Sequence, residues 1–175
     1  MRIAVMGILI LLNYVLQTSV LPQIAILGVT PDTALVFIVC YGILRGDVEG
    51  ALFGFSAGLL QDMFSGGPLG MFALIGFLVG YVSGKPFRDF FKDNYFLPFI
   101  VVLLAVFFQQ FVIYIGSFLF RGYLNIWHFV WTIMIPTAIY TISLAIPLYS
   151  LMHFINGLVE KRETDSRDLF ERGRE

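Results

Sequence analysis

Six apolar stretches, separated by short connections that hold almost all of the charge, constrain this chain more than any other feature of its sequence. A hydrocarbon core about 30 Å thick takes roughly 20 helical residues per crossing, so each stretch is read as a transmembrane helix. The runs predict helices over about Ile3 to Leu21, Pro31 to Leu44, Val48 to Met63, Leu69 to Ser83, Phe96 to Phe120 and Phe129 to Ile155. With 58% hydrophobic and 13% charged residues, and a mean hydropathy of +0.85, the 175 residues carry too little polar surface to cover a globule in water. The expected architecture is all-α and integral to the membrane. A compact bundle of six transmembrane helices fills residues 1–155, and a charged cytoplasmic tail follows over 156–175.

Charge placement sets the expected orientation. In the six-helix reading one side collects Arg2, Arg45, Lys85, Arg88, Lys92, Lys161, Arg162, Arg167, Arg172 and Arg174, whereas the other receives only Arg121. Ten basic residues against one, under the positive-inside rule, predict a multi-pass protein with six crossings and both termini in the cytoplasm. The net charge of -1 gives no general attraction to nucleic acid, and none is expected as a partner. Membrane lipid is the expected surrounding. The single cysteine, Cys40, lies in an apolar run and reads as a small hydrophobe.

The first apolar run resembles a secretory signal in having Arg2 before it. It is longer than a usual signal core, contains Asn13 and Gln17, and has no small-x-small cleavage site before Pro22, so it is read as an uncleaved helix. The second run opens on Thr30 as a candidate cap, Pro31 at the first helical position and Asp32 at the positive end of the helix dipole. Its fourteen residues reach only about 21 Å, so neighbours must shelter it or the bilayer must thin beside it.

Gly50, Gly54 and Gly58 recur at steps of four, as do Gly76, Gly80 and Gly84. Such ladders let helix backbones approach closely in lipid, where burial of apolar side chains gives no drive to association. They are expected to pack against each other or against partners; a homodimer is a separate expectation. Asp62 extends the first ladder by one further step. Followed by Ser65, Gly66, Pro68 and Gly70, its carboxylate can accept bonds from the free N–H groups of the turn into the fourth helix; ion or proton coupling is the alternative, but no second buried acid or base stands beside it. Asn13 with Gln17, and Gln110 with Tyr114, form two polar helix faces that either bond inside the bundle or meet a partner helix. Pro136 and Pro147 are expected to kink the last helix, and Trp127 and Trp131 to anchor its start at the interface. No metal motif, phosphate-binding glycine loop or nucleophile motif is present, so no cofactor is expected and the chain is not expected to be an enzyme.

Pro31-Asp32 before an apolar helix, Tyr41, Arg45-Gly46, the run Gly50, Gly54-Phe55, Gly58-Leu59 and Asp62, and then Ser65-Gly66-x-Pro68-Leu69-Gly70, together resemble the MreD family of rod shape-determining proteins. The close match covers about 40 residues. The resemblance implies a location in the bacterial cytoplasmic (inner) membrane and the role of a non-enzymatic membrane scaffold of the bacterial cell-elongation complex, which organises lateral peptidoglycan synthesis and maintains rod shape. It implies MreC, a single-span protein with a periplasmic domain, as the direct partner, and more distantly MreB, RodA and a class-B penicillin-binding protein. A second expectation is a small-molecule-binding membrane subunit, similar to the substrate-binding component of energy-coupling-factor importers, which is also a small six-helix bundle and with which a fold can be shared without function.

Overall fold

A computed structural model describes residues 2–25, 28–65, 70–85, 97–121 and 126–172 of the chain. It is nearly all helical, with no β-sheet among the described residues. Helix α1 (Arg2–Val15) runs on through a π-helical turn (Leu16–Val20) and a 3-10 turn (Leu21–Ile24); α2 is Thr33–Arg45, α3 Asp47–Ser65, α4 Met71–Gly84 and α5 Leu97–Arg121. The last helix, α6, starts at Ile126–Phe129, passes through a π-helical turn (Val130–Met134) and continues as Ile135–Arg172. It extends through Pro147 and well beyond Ile155 into the charged segment.

Three of these helices are long and apolar enough to cross a membrane, over Val5–Ile24, Pro98–Gly116 and Ile126–Ile155. Thr33–Arg45 and Met71–Gly84 are apolar but shorter. Leucines, phenylalanines and isoleucines stand exposed on every helix but α2, among them Leu11, Leu52, Leu74, Leu104 and Ile139, as expected of a surface whose solvent is lipid.

Helix α2 is the axis of the bundle. Every residue from Thr33 to Ile43 is buried, and α2 packs on each of the five other helices. Sheltering is therefore how thirteen residues, about 20 Å of helix, are accommodated. Its core partners include Phe53 on α3, Val79 on α4, Val102 and Val106 on α5 and Ala145 on α6. Tyr41 stacks on Phe53 with ring centroids 4.5 Å apart.

The two π-helical turns end two residues before Pro22 and Pro136 respectively. A proline cannot donate to the carbonyl four residues back, so the ladder widens or breaks ahead of it. Tyr140, in the regular helix after the second of these turns, donates its hydroxyl to the carbonyl of Ile24 at the end of the 3-10 turn, at 2.7 Å. Trp127 and Trp131 lie exposed, packed edge to face 6.1 Å apart at the start of α6.

Candidate functional site

Helices α3 and α4 run antiparallel with their backbones in contact. Gly50 faces Gly80, Gly54 faces Gly76, Gly58 faces Phe72 and Ala73, and Gly84 faces the Gly46–Asp47 peptide. A Cβ built on Gly50 would stand 2.6 Å from the Gly80 carbonyl oxygen, nearer than any real Cβ approaches a backbone atom. Both ladders thus meet along one seam. Gly42 of α2 joins it, since a Cβ there would lie 2.8 Å from the same Gly80 oxygen. Between α2 and α3, Gly46 turns the chain at φ 105°, where a side chain would be strained.

Asp62 closes one end of this seam. It lies on the buried face of α3, one turn past Gly58, and is only 3% exposed. Its two oxygens accept the backbone N–H groups of Phe72 at 3.0 Å and Ala73 at 2.8 Å. Those are orphan donors of the first turn of α4, whose own cap position is Gly70, a residue with φ 95° and no side chain to offer. The carboxylate therefore caps α4 from the neighbouring helix, with the helix dipole adding to its stabilisation. Ser65 ends α3, and Gly66 and Pro68 lie outside the described residues.

At the same end of the bundle the start of α2 gathers polar side chains from three other helices. Asp32 is the cap: its Oδ1 accepts the Leu35 N–H at 3.1 Å, so the helix begins at Thr33, and Pro31 precedes it rather than opening it. Thr30 is not the cap, because a cap oxygen must reach an N–H two or three residues inside the helix, which Asp32 does. The other carboxylate oxygen accepts from Nε2 of Gln109 on α5, and the Asp32 N–H donates to Oγ1 of Thr141 on α6 at 3.0 Å. Gln17, in the π-helical turn after α1, accepts from the Thr33 N–H at 3.2 Å and the Thr33 hydroxyl at 2.7 Å, and donates to the Pro31 carbonyl at 3.3 Å. Gln17 thus bonds inside the bundle.

Beside this knot lies an open cavity of about 290 Å³, walled by Gln17, Asp32, Gln61, Phe72, Gln109 and Gln110 among others. Gln110 is 8% exposed, and its amide has no hydrogen-bond partner among the described residues. Tyr114, one turn along, packs its ring against Phe129 of α6 instead. A second cavity of about 190 Å³ opens between α1 and α3; Gln17 and Gln61 stand in its wall too, together with Asn13. Asn13 is buried, and its Oδ1 has no partner among the described residues. Among the described residues no three His, Cys, Asp or Glu side chains come together as a metal site would require.

Sequence patterning singled out Asn13, Gln17, Asp32, Asp62 and Gln110 but passed over Gln61, Gln109 and Gly42. Gln109 adjoins Gln110 in the middle of an apolar helix, and the rarity of two adjacent amides at that depth is the signal that would have found it. Gly42 stands alone in α2, with no ladder to mark it.

No curated protein and no solved structure matches the chain. The family described as rod shape-determining protein MreD matches residues 1–156, almost the whole of the helical bundle. With apolar helices fit to cross a membrane and a family match over most of its length, the chain is a rod shape-determining membrane protein and belongs to the MreD family.

Proposed function

We propose that the protein is a non-enzymatic scaffold of the cell-elongation complex, seating the single transmembrane helix of MreC and so helping to organise lateral peptidoglycan synthesis. It spans the cytoplasmic membrane six times with both termini inside, as the ten-to-one distribution of basic residues argues. MreB, RodA and a class-B penicillin-binding protein are reached through that complex.

One observation carries the reading. The glycine seam makes α2, α3 and α4 a backbone-locked unit, yet α4 and α5 touch each other little and leave an apolar groove of about 480 Å³ between them. Leu78, Val82, Val101, Leu104 and Phe108 line it, with Ala105 as a small residue among them. Association in lipid is driven by close van der Waals packing, which a preformed groove on a rigid support provides at little ordering cost.

Affinity purification from native membranes with gentle crosslinking tests this. MreC is expected with the wild-type chain and is expected to be lost when Val82→Trp and Leu104→Trp fill the groove, whereas Leu59→Trp on the opposite lipid face of α3 leaves it bound. Recovery of cytoplasmic ATPases with a coupling membrane subunit, and no MreC, would overturn the scaffold in favour of an importer.

A further inference from the structure

Among the described residues two buried side-chain amides, Asn13 and Gln110, are left with bonding capacity unused. Asn13 Oδ1 is sealed from solvent without a partner, and Gln110 is over nine-tenths buried beside an open cavity without one. A buried polar group without a partner costs free energy that native proteins ordinarily avoid; Asn13 Oδ1 is such an atom, and Gln110, nine-tenths buried and facing the open cavity, is left to bond whatever enters it. Both cavities share Gln17 and Gln61 as walls, and both π-helical turns contribute to the larger one, through Gln17 and Ile133. Such turns are found disproportionately where a helix has been bent to serve a site.

The lining narrows the ligand. Carboxamides donate and accept alike; of the four that border the larger cavity Gln17 and Gln109 already bond Thr33, Pro31 and Asp32, Gln61 has an interaction of its own, and Gln110 is left to meet a ligand, with Thr30 beside it. Among the described residues no lysine or arginine borders it, and the one carboxylate there, Asp32, is engaged by Leu35 and Gln109. A phosphate or other anion finds no countercharge there. Phe72, Ile113 and Ile133 add apolar surface between the amides. Donors and acceptors interleaved with apolar patches match a ring bearing hydroxyl groups on its edge and C–H bonds on its faces. A volume of about 290 Å³ is at the small end of ligand sites, of a size for one such ring.

We infer that the cavity at the start of α2 binds a single neutral hexose ring, with Gln110 as its free hydrogen-bonding group. The ring can arrive as the headgroup of a glycolipid or as a free saccharide. Any phosphate attached to it stays outside the cavity.

Native mass spectrometry of the full chain in phosphatidylglycerol nanodiscs, with and without a glucosyl diacylglycerol, reads the first source. Titration with methyl β-glucoside and methyl N-acetyl-β-glucosaminide, followed by thermal melting, reads the second. Binding of either kind supports the site, and which probe binds identifies the source. Gln110→Leu is expected to weaken binding about tenfold, the loss of roughly one hydrogen bond. It is also expected to raise the melting temperature of the unliganded protein by about 2–4 °C, because it removes an unpaired polar group. Failure of every probe to bind the wild type, or equal binding by Gln110→Leu, overturns the inference, and so does a cavity that holds only water. The site does not depend on the scaffold reading: capture of MreC by Gln110→Leu measures that reading separately.

Discussion

Gln109 of α5 donates its side-chain N–H to the carboxylate of Asp32, 77 residues earlier in the chain, and this one bond fastens the capped start of α2 to a helix that sequence order places far away. A carboxylate taken out of water needs its partners, and removing one leaves the other exposed to the full desolvation cost. Gln109→Leu is expected to destabilise the fold by about 2–3 kcal/mol, measured by unfolding in mixed detergent micelles. In the Asp32→Asn background the same substitution should cost less, since an amide loses less than a carboxylate does.

The seam of α3 and α4 gives a steric prediction. Gly54→Val and Gly76→Val drive a side chain into the opposing backbone and should cost about 3 kcal/mol or more, read as loss of monodisperse protein on size exclusion. Gly7, on α1, has nothing within 4 Å of where its Cβ would be. Gly7→Ala is expected to be neutral or stabilising by up to about 1 kcal/mol, from helix propensity alone.

Asp62 distinguishes capping from charge coupling. Asp62→Asn keeps one acceptor for the Phe72 and Ala73 N–H groups and should cost about 1 kcal/mol, while Asp62→Leu leaves both orphaned and should cost about 3 kcal/mol. Normal cell shape with Asp62→Asn would show that the ionised form is dispensable.

Topology can be read with thiol labelling, because the native Cys40 is buried and silent. A membrane-impermeant maleimide is expected to label Gln23→Cys in intact cells, and Lys85→Cys only after permeabilisation. The reverse pattern would invert the protein in the membrane.

The features legible in the sequence were those with a local period. Glycines at steps of four, and Asp62 one step beyond, fall on one helix face by geometry alone, and the structure puts them at the α3–α4 seam. Helix boundaries were legible to within about three residues, except where α6 continues past Ile155 to Arg172. Pairing across the chain was not legible. Nothing local tells that Asp32 rather than Thr30 caps α2, or that Gln109 rather than Gln110 turns to meet it; those choices rest on how α5 and α6 are rotated against α2. Tyr114 shares a helix face with Gln110 in sequence, yet it settles on Phe129 for the same reason.

The short, wholly enclosed α2 also bears on how the protein is made. Its thirteen residues cannot rest stably in a bilayer alone, and the acid at its head finds Gln109 and Thr141 only after the ribosome has added most of the remaining chain. Until then the insertion machinery, or the newly paired α3 and α4, must hold α2 in place. Assembly of the bundle is thus completed only when its C-terminal helices arrive, and a nascent chain truncated before α5 would lack the partners of Asp32.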